Sequence, residues 1–160
     1  MELKDLKNEM PYKWRVQSYS KNKPSASCVA YIDARDVMDM LDAVCSPENW
    51  QDDYRVVDGK LFAGIGIYTN DQWIWKWDTG TESQTEKEKG KVSDSFKRAA
   101  VKWGVGRFLY NLKIQYVIAD GIKGEKDGVI NNKTYKKYPK CVDSKGKTIW
   151  DITKHINDKS

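Results

Sequence analysis

Three strand-like runs, residues 50–57, 60–69 and 72–79, are separated by two residues each, Asp58-Gly59 and Asn70-Asp71. Gaps that short leave no room for a crossover, so successive runs must pair antiparallel as hairpins, and Asp-Gly is a strong signal for the tight turn. The chain is thereby committed to an antiparallel meander. In the third run Trp73, Trp75 and Trp77 alternate with Ile74 and Lys76 and so share one face. These tryptophans are expected to pack under a helix or against a neighbour rather than to stack on bases.

Around the meander the pattern is mixed. Residues 2–9 read as a short amphipathic helix with Leu3 and Leu6 on one side, and residues 13–20 and 26–32 as strands bracketing a polar loop with Pro24. Val37, Met38, Leu41, Val44 and Cys45 recur at helical spacing over 34–45, with Asp33 as N-cap and Pro47 beyond the end. Residues 81–89 are too polar for a buried strand and are expected to loop back so that the next helix can cross the sheet. Past Leu112 the pattern weakens: 114–119 reads as one more strand, 120–147 as loops with a hairpin, and the end of the chain as frayed.

The spacing predicts one helix over 93–110. At about 100° per residue, Val92, Phe96, Ala99, Ala100, Trp103 and Tyr110 fall on one arc, the core face. Lys91, Arg98 and Lys102 form a column of cationic donors on another arc, suited to a row of phosphates. The plainer alternative is a solvated face. Against it stand Gly104 and Gly106, each costing a helix roughly 1 kcal/mol relative to alanine unless another backbone approaches there. A second apolar set, Val101, Val105 and Phe108, points away from the first, which predicts a neighbouring subunit over it.

A chain of 160 residues suits one domain and a tail, divided here as 1–112 and an irregular extension over 113–160. The formal charge of +5 permits polyanion binding without requiring it. Its distribution is more telling: Lys87 to Arg107 holds seven basic residues against Glu88 and Asp94, whereas Asp33 to Asp53 is acidic. Cys28, Cys45 and Cys141 lack a pairing or zinc-binding pattern and read as reduced thiols. With no apolar leader or membrane-length run, the expected location is cytoplasmic.

The order strand, helix, meander, basic helix, together with the stretch from Ser93-Asp94-Ser95-Phe96-Lys97-Arg98-Ala99 through Lys102-Trp103-Gly104 to Arg107, resembles the Rad52-type single-strand annealing proteins. The likeness spans residues 13–112 and is nearest to small phage-encoded, Sak-like members, with a bacterial DNA-damage-response member, DdrA, also similar. It implies an α+β fold: a β-β-β-α core, an antiparallel meander crossed by a long basic helix. It further implies assembly into a ring or helical oligomer, with single-stranded DNA in an outer basic groove. By analogy Lys97 and Arg98 contact phosphates, Arg15 and Tyr31 supply a basic contact and a groove-lining aromatic, and Lys91, Lys102 and Arg107 complete the set. The implied partners are single-stranded DNA, further copies of the chain and a single-strand-binding protein, and neither cofactor nor metal is implied. Residues 113–160 match nothing in that pattern.

Annealing is downhill; the obstacles are phosphate repulsion and the search for register, and an array of basic grooves lowers both without ATP. The chain accordingly has no Gly-x-x-x-x-Gly-Lys-Ser/Thr loop. Two rivals stay open. One is a metal-dependent nuclease using Asp52, Asp53 and Asp78, which lack the following Glu-x-Lys; His155, the only histidine, has no partner constellation. The other is a protein that coats single strands without annealing them.

Overall fold

The computed structural model describes residues 2–80 and 87–159. The expected loop at 81–89 lies mostly outside the described residues; from Lys87 the chain is already helical. The chain forms two compact units: residues 1–11 with 32–111, and residues 12–31 with 112–160. Within the second unit, residues 25–28 pair with residues 115–118, which joins its two stretches of chain.

The first unit holds the meander. Strands β3 (Trp50–Val57), β4 (Lys60–Thr69) and β5 (Gln72–Asp78) form a sheet in the order β3-β4-β5, antiparallel throughout, with Val57 opposite Lys60 and Thr69 opposite Gln72. Both two-residue turns take positive φ at each position, Asp58 51° and Gly59 77°, then Asn70 52° and Asp71 61°. That is the turn geometry whose twist matches the strands it joins. Helix α1 (Ala34–Cys45) starts where the sequence places it: the Asp36 backbone N–H donates to the Asp33 carboxylate and the Asp33 N–H to that of Asp36, each at 2.9 Å. Its Val37 and Leu41 are fully buried.

Helix α2 (Lys87–Trp103) packs on one face of the sheet. Phe96, Ala99 and Ala100 are buried against it together with Ala63, Ile65 and Ile67 of β4, and the Trp103 indole N–H donates to the Ile65 carbonyl at 2.9 Å. Strand pairing then fixes what lies on the other face. Trp75 and Trp77 sit opposite Gly66 and Gly64, so the tryptophans occupy the sheet face away from α2, not the face under the helix. The rings of Trp75 and Trp77 stack with centroids 5.7 Å apart, and each covers a glycine so closely that a Cβ there would lie 2.6 Å from indole atoms. Gly66→Val therefore should destabilise the protein despite the β-propensity of valine, by about 1–3 kcal/mol, read from the urea midpoint.

The helix expected over 93–110 ends at Trp103. Gly104 (φ 111°) and Gly106 (φ 83°) turn the chain, and a 3-10 helix, Arg107–Asn111, follows. A Cβ on Gly104 would lie 2.8 Å from Lys7 Cγ and 3.5 Å from the Lys7 backbone nitrogen, so the close approach that the glycines forecast is made by the chain's own N-terminal 3-10 helix, Leu3–Lys7. The break redirects the second apolar set. Val105 and Phe108 are buried within the unit, which removes the reason to place a neighbouring subunit over them. Val92 and Tyr110, assigned to the core face, are exposed; Tyr110 lies past the end of α2.

In the second unit β1 (Lys13–Tyr19), β2 (Ser25–Tyr31) and β6 (Gln115–Ile118) form an antiparallel sheet in that order. A hairpin, β7 (Gly128–Ile130) and β8 (Lys133–Tyr135), turns through Asn131 and Asn132, both at positive φ. The end of the chain, expected to fray, is helix α3 (Ile152–Lys159). It packs on β1: the Trp14 N–H donates to the Thr153 hydroxyl at 2.9 Å, and Ile156 joins a core of Trp14, Ala26, Cys28, Val117 and Cys141. Burial pushes the Cys28 thiol up to about 11.

Candidate nucleic-acid interface

Lys97 and Arg98 are neighbours in sequence, and the helix sends them different ways. The Arg98 guanidinium reaches β5, 3.9 Å from the Asp78 carboxylate. One turn on, the Lys102 ammonium donates to the carbonyl of Trp77. These two therefore form one exposed cationic pair running beside β5, joined by Lys76, whose ammonium lies 4.7 Å over the Trp103 ring. Lys97 turns instead toward the start of α1 and donates to the Ile32 carbonyl at 3.3 Å. Half-buried Lys91 lies nearer the start of α2, where with Lys60 it borders a cavity of about 290 Å³ lined also by Thr79, Gly80 and Ser95. The buried Ser95 hydroxyl there accepts the Gly80 N–H at 3.0 Å.

Arg107 has a second task. Its Nε donates to the Val101 carbonyl and a terminal nitrogen to that of Lys102, both at 2.8 Å. Placed just past the helix, it caps the end of α2, sharing the Val101 carbonyl with the Gly104 N–H, where a cation is also favoured by the helix dipole. Arg15 and Tyr31 belong to the other unit. Tyr31 pairs with Lys13, so Arg15, two residues on, lies diagonally across the ladder on the same face, its guanidinium 5.2 Å from the Tyr31 ring centroid. The seven residues thus fall into Arg98 with Lys102, Arg15 with Tyr31, and Lys91, Lys97 and Arg107 each in its own setting.

The carboxylates of the nuclease alternative have other occupations. Asp52 accepts the Tyr54 hydroxyl at 2.8 Å, Asp53 lies 3.5 Å from Arg55, and Asp78 faces Arg98. Burial first, then the bond to Asp52, hold the Tyr54 phenol well above its ordinary value. Asp52 and Asp53 are consecutive on a strand and point to opposite faces. Among the described residues no group of three or more His, Cys, Asp or Glu is placed to hold a metal ion. His155 lies within α3 with its Nε2 buried and without a hydrogen-bond partner among the described residues. No helix among the described residues is long and apolar enough to cross a membrane.

One feature escaped the sequence reading because it appears only once residues are grouped by contact. Residues 12–31 and 112–160 carry fifteen Lys and Arg against six Asp and Glu, net +9, while the other unit is net −4 with His neutral. Residues 12–31 contain no acidic side chain. The modest overall charge conceals this segregation.

Residues 55–127 match the model of the Rad52/22 family of double-strand break repair proteins. That stretch runs from within β3 through β4, β5, α2 and β6, and it belongs to the Rad52/22 family, which confirms the resemblance carried by residues 93–107. Two relatives support the same placement. The single-stranded DNA-binding protein DdrA of Deinococcus deserti is 35% identical over 114 residues, 70% of this chain and 56% of the relative. DdrA of Deinococcus radiodurans is 33% identical over 105 residues, 64% of this chain and 50% of the relative. The chain spans about half the length of these curated relatives. No solved structure matches it significantly.

Proposed function

We propose that this protein binds single-stranded DNA and anneals complementary strands in homologous recombination and repair, acting as a homo-oligomeric ring or filament without ATP or metal. The observation that carries the reading is the exposed pair Arg98 and Lys102 beside β5, on the helix at the centre of the family-matched stretch. Both relatives are named as single-stranded DNA-binding proteins, in keeping with that ligand. Residues 1–112 supply the annealing domain in this reading, with Lys91, Lys97, Arg107, Arg15 and Tyr31 as further strand contacts. The Lys and Arg side chains displace condensed counterions from the phosphates they meet, and copies of the chain hold many nucleotides extended at once. No covalent bond is made or broken. The protein works in the cytoplasm of a bacterial cell, alongside its DNA and a single-strand-binding protein.

The names of the relatives speak of binding and not of annealing, which favours one alternative, a protein that coats and protects single strands. Two complementary oligonucleotides carrying a fluorophore and a quencher, mixed in EDTA without nucleotide, separate the two. An annealer accelerates pairing, and Lys97→Ala with Arg98→Ala slows it toward the uncatalysed rate. A coating protein binds both strands and leaves pairing unchanged or slower, and that result would end the annealing proposal.

A further inference from the structure

We propose that the C-terminal unit carries a strand-binding surface of its own, formed by the segment 136–140 and Trp150, whose ligand is single-stranded DNA. It rests on the reading above only in the choice of ligand. Its residues lie outside α2 and outside the family-matched stretch, which ends at residue 127.

The backbone of this segment is anchored. The Asp120 N–H donates to the Lys140 carbonyl at 2.9 Å and the Lys140 N–H to the Asp120 carboxylate at 2.8 Å. Pro139, Cys141 and Val142 are buried, and Ala119 bridges to Cys141. From that fixed base Lys136, Lys137, Tyr138 and Lys140 point into solvent. A segment that fixes its backbone while exposing three ammonium groups and a phenol has settled its entropy cost before any ligand arrives.

Aromatic rings interleave with the cations. Trp150 is 83% exposed, although an indole ordinarily buries most of its area. The Lys140 ammonium lies 5.3 Å from its ring centroid. Tyr138 is half-exposed and stacks at 6.3 Å on Tyr19, so it presents a supported ring. Isolated exposed aromatics need no explanation. These stand within a unit of net charge +9, beside lysines spaced along an extended segment. Flat rings and ammonium groups together fit a ligand that offers bases and phosphates at once, and single-stranded nucleic acid does so because its bases are unpaired. An acidic protein segment would use the charge and leave the rings without a stacking partner, and an anionic bilayer, whose interface accepts Trp and Tyr, offers no flat faces for them to stack on.

The test uses the full chain and fluorescence anisotropy of a labelled oligothymidylate over a range of salt. The triple variant Lys136→Ala, Lys137→Ala, Lys140→Ala should bind more weakly, with a salt slope smaller by up to about 2, at about 0.7 per phosphate contact on a single strand. Trp150→Ala should weaken binding about tenfold while Trp150→Phe, which keeps a ring, stays near wild type. The variant Arg98→Ala, Lys102→Ala should still show the contribution of the C-terminal surface. Wild-type binding with an unaltered slope in the triple variant would overturn this proposal and leave the function proposed above intact; no binding by wild type would overturn both. Loss of binding to phosphatidylserine vesicles in the triple variant, with oligonucleotide binding unchanged, would assign the surface to anionic lipid and equally overturn it.

Discussion

Val105→Asp should remove a large share of the protein's stability. The side chain is 1% exposed, held where the chain turns between Gly104 and Gly106, and its N–H donates to the Ala100 carbonyl at 3.0 Å in closing the end of α2. Among the described residues no cation is buried in the core to meet a carboxylate there, and an uncompensated buried charge costs about 3–5 kcal/mol. Small domains have about 5–15 kcal/mol in total, so the urea midpoint should fall steeply and soluble yield with it. Tyr110→Asp, at a ring 71% exposed, should move the midpoint by less than about 0.5 kcal/mol. The pair also decides between two accounts of the apolar set Val101, Val105 and Phe108. Were Val105 an intersubunit residue, its aspartate variant would remain folded and lose only its oligomeric state. Circular dichroism together with light scattering tells these apart.

That set shows where a helical wheel stops being informative. Periodicity identified α2 and its buried residues Phe96, Ala99 and Ala100, because those positions pack on a regular sheet face. It then ran on past Trp103, as if Gly104 and Gly106 merely weakened the helix. In the structure both take positive φ and end it, and the angular positions assigned from Val105 onward, Tyr110 included, are rotated out of their predicted arcs. The meander was legible because two-residue turns leave no alternative register, and α1 because its cap and apolar spacing agree. The face chosen by the tryptophans was not legible: strand alternation says that Trp73, Trp75 and Trp77 lie together, and only the glycines opposite Trp75 and Trp77 on β4 show which side has room for indoles. The pairing of β2 with β6 was hidden for another reason. It joins residues some ninety positions apart, and no local signal in 114–119 names a partner.

The candidate site was legible as residue types and not as groupings. Lys97 and Arg98 invite treatment as one unit, and their surroundings predict that they behave differently. The Arg98 guanidinium keeps a long 3.9 Å contact with Asp78, with its side chain 48% exposed. An ion pair of that kind contributes little, so trading a carboxylate for a phosphate costs little. Lys102, also exposed, releases the Trp77 carbonyl to take a phosphate. Lys97 is half-buried and ties α2 to the residue before the α1 cap. We therefore expect Arg98→Ala with Lys102→Ala to lower affinity for an oligothymidylate by at least tenfold at moderate salt. The salt slope should fall by about 1.4, two contacts at about 0.7 each, with almost no change in the urea midpoint. Lys97→Ala alone should lower stability by about 1 kcal/mol, the net worth of a hydrogen bond, and reduce the slope by no more than about 0.7. Anisotropy titrations at several salt concentrations, set beside urea melts of the same preparations, measure both quantities. If Lys97→Ala removes more of the slope than the double variant does, the strand runs along the Ile32 side of α2 and the β5 side is only a solvated face.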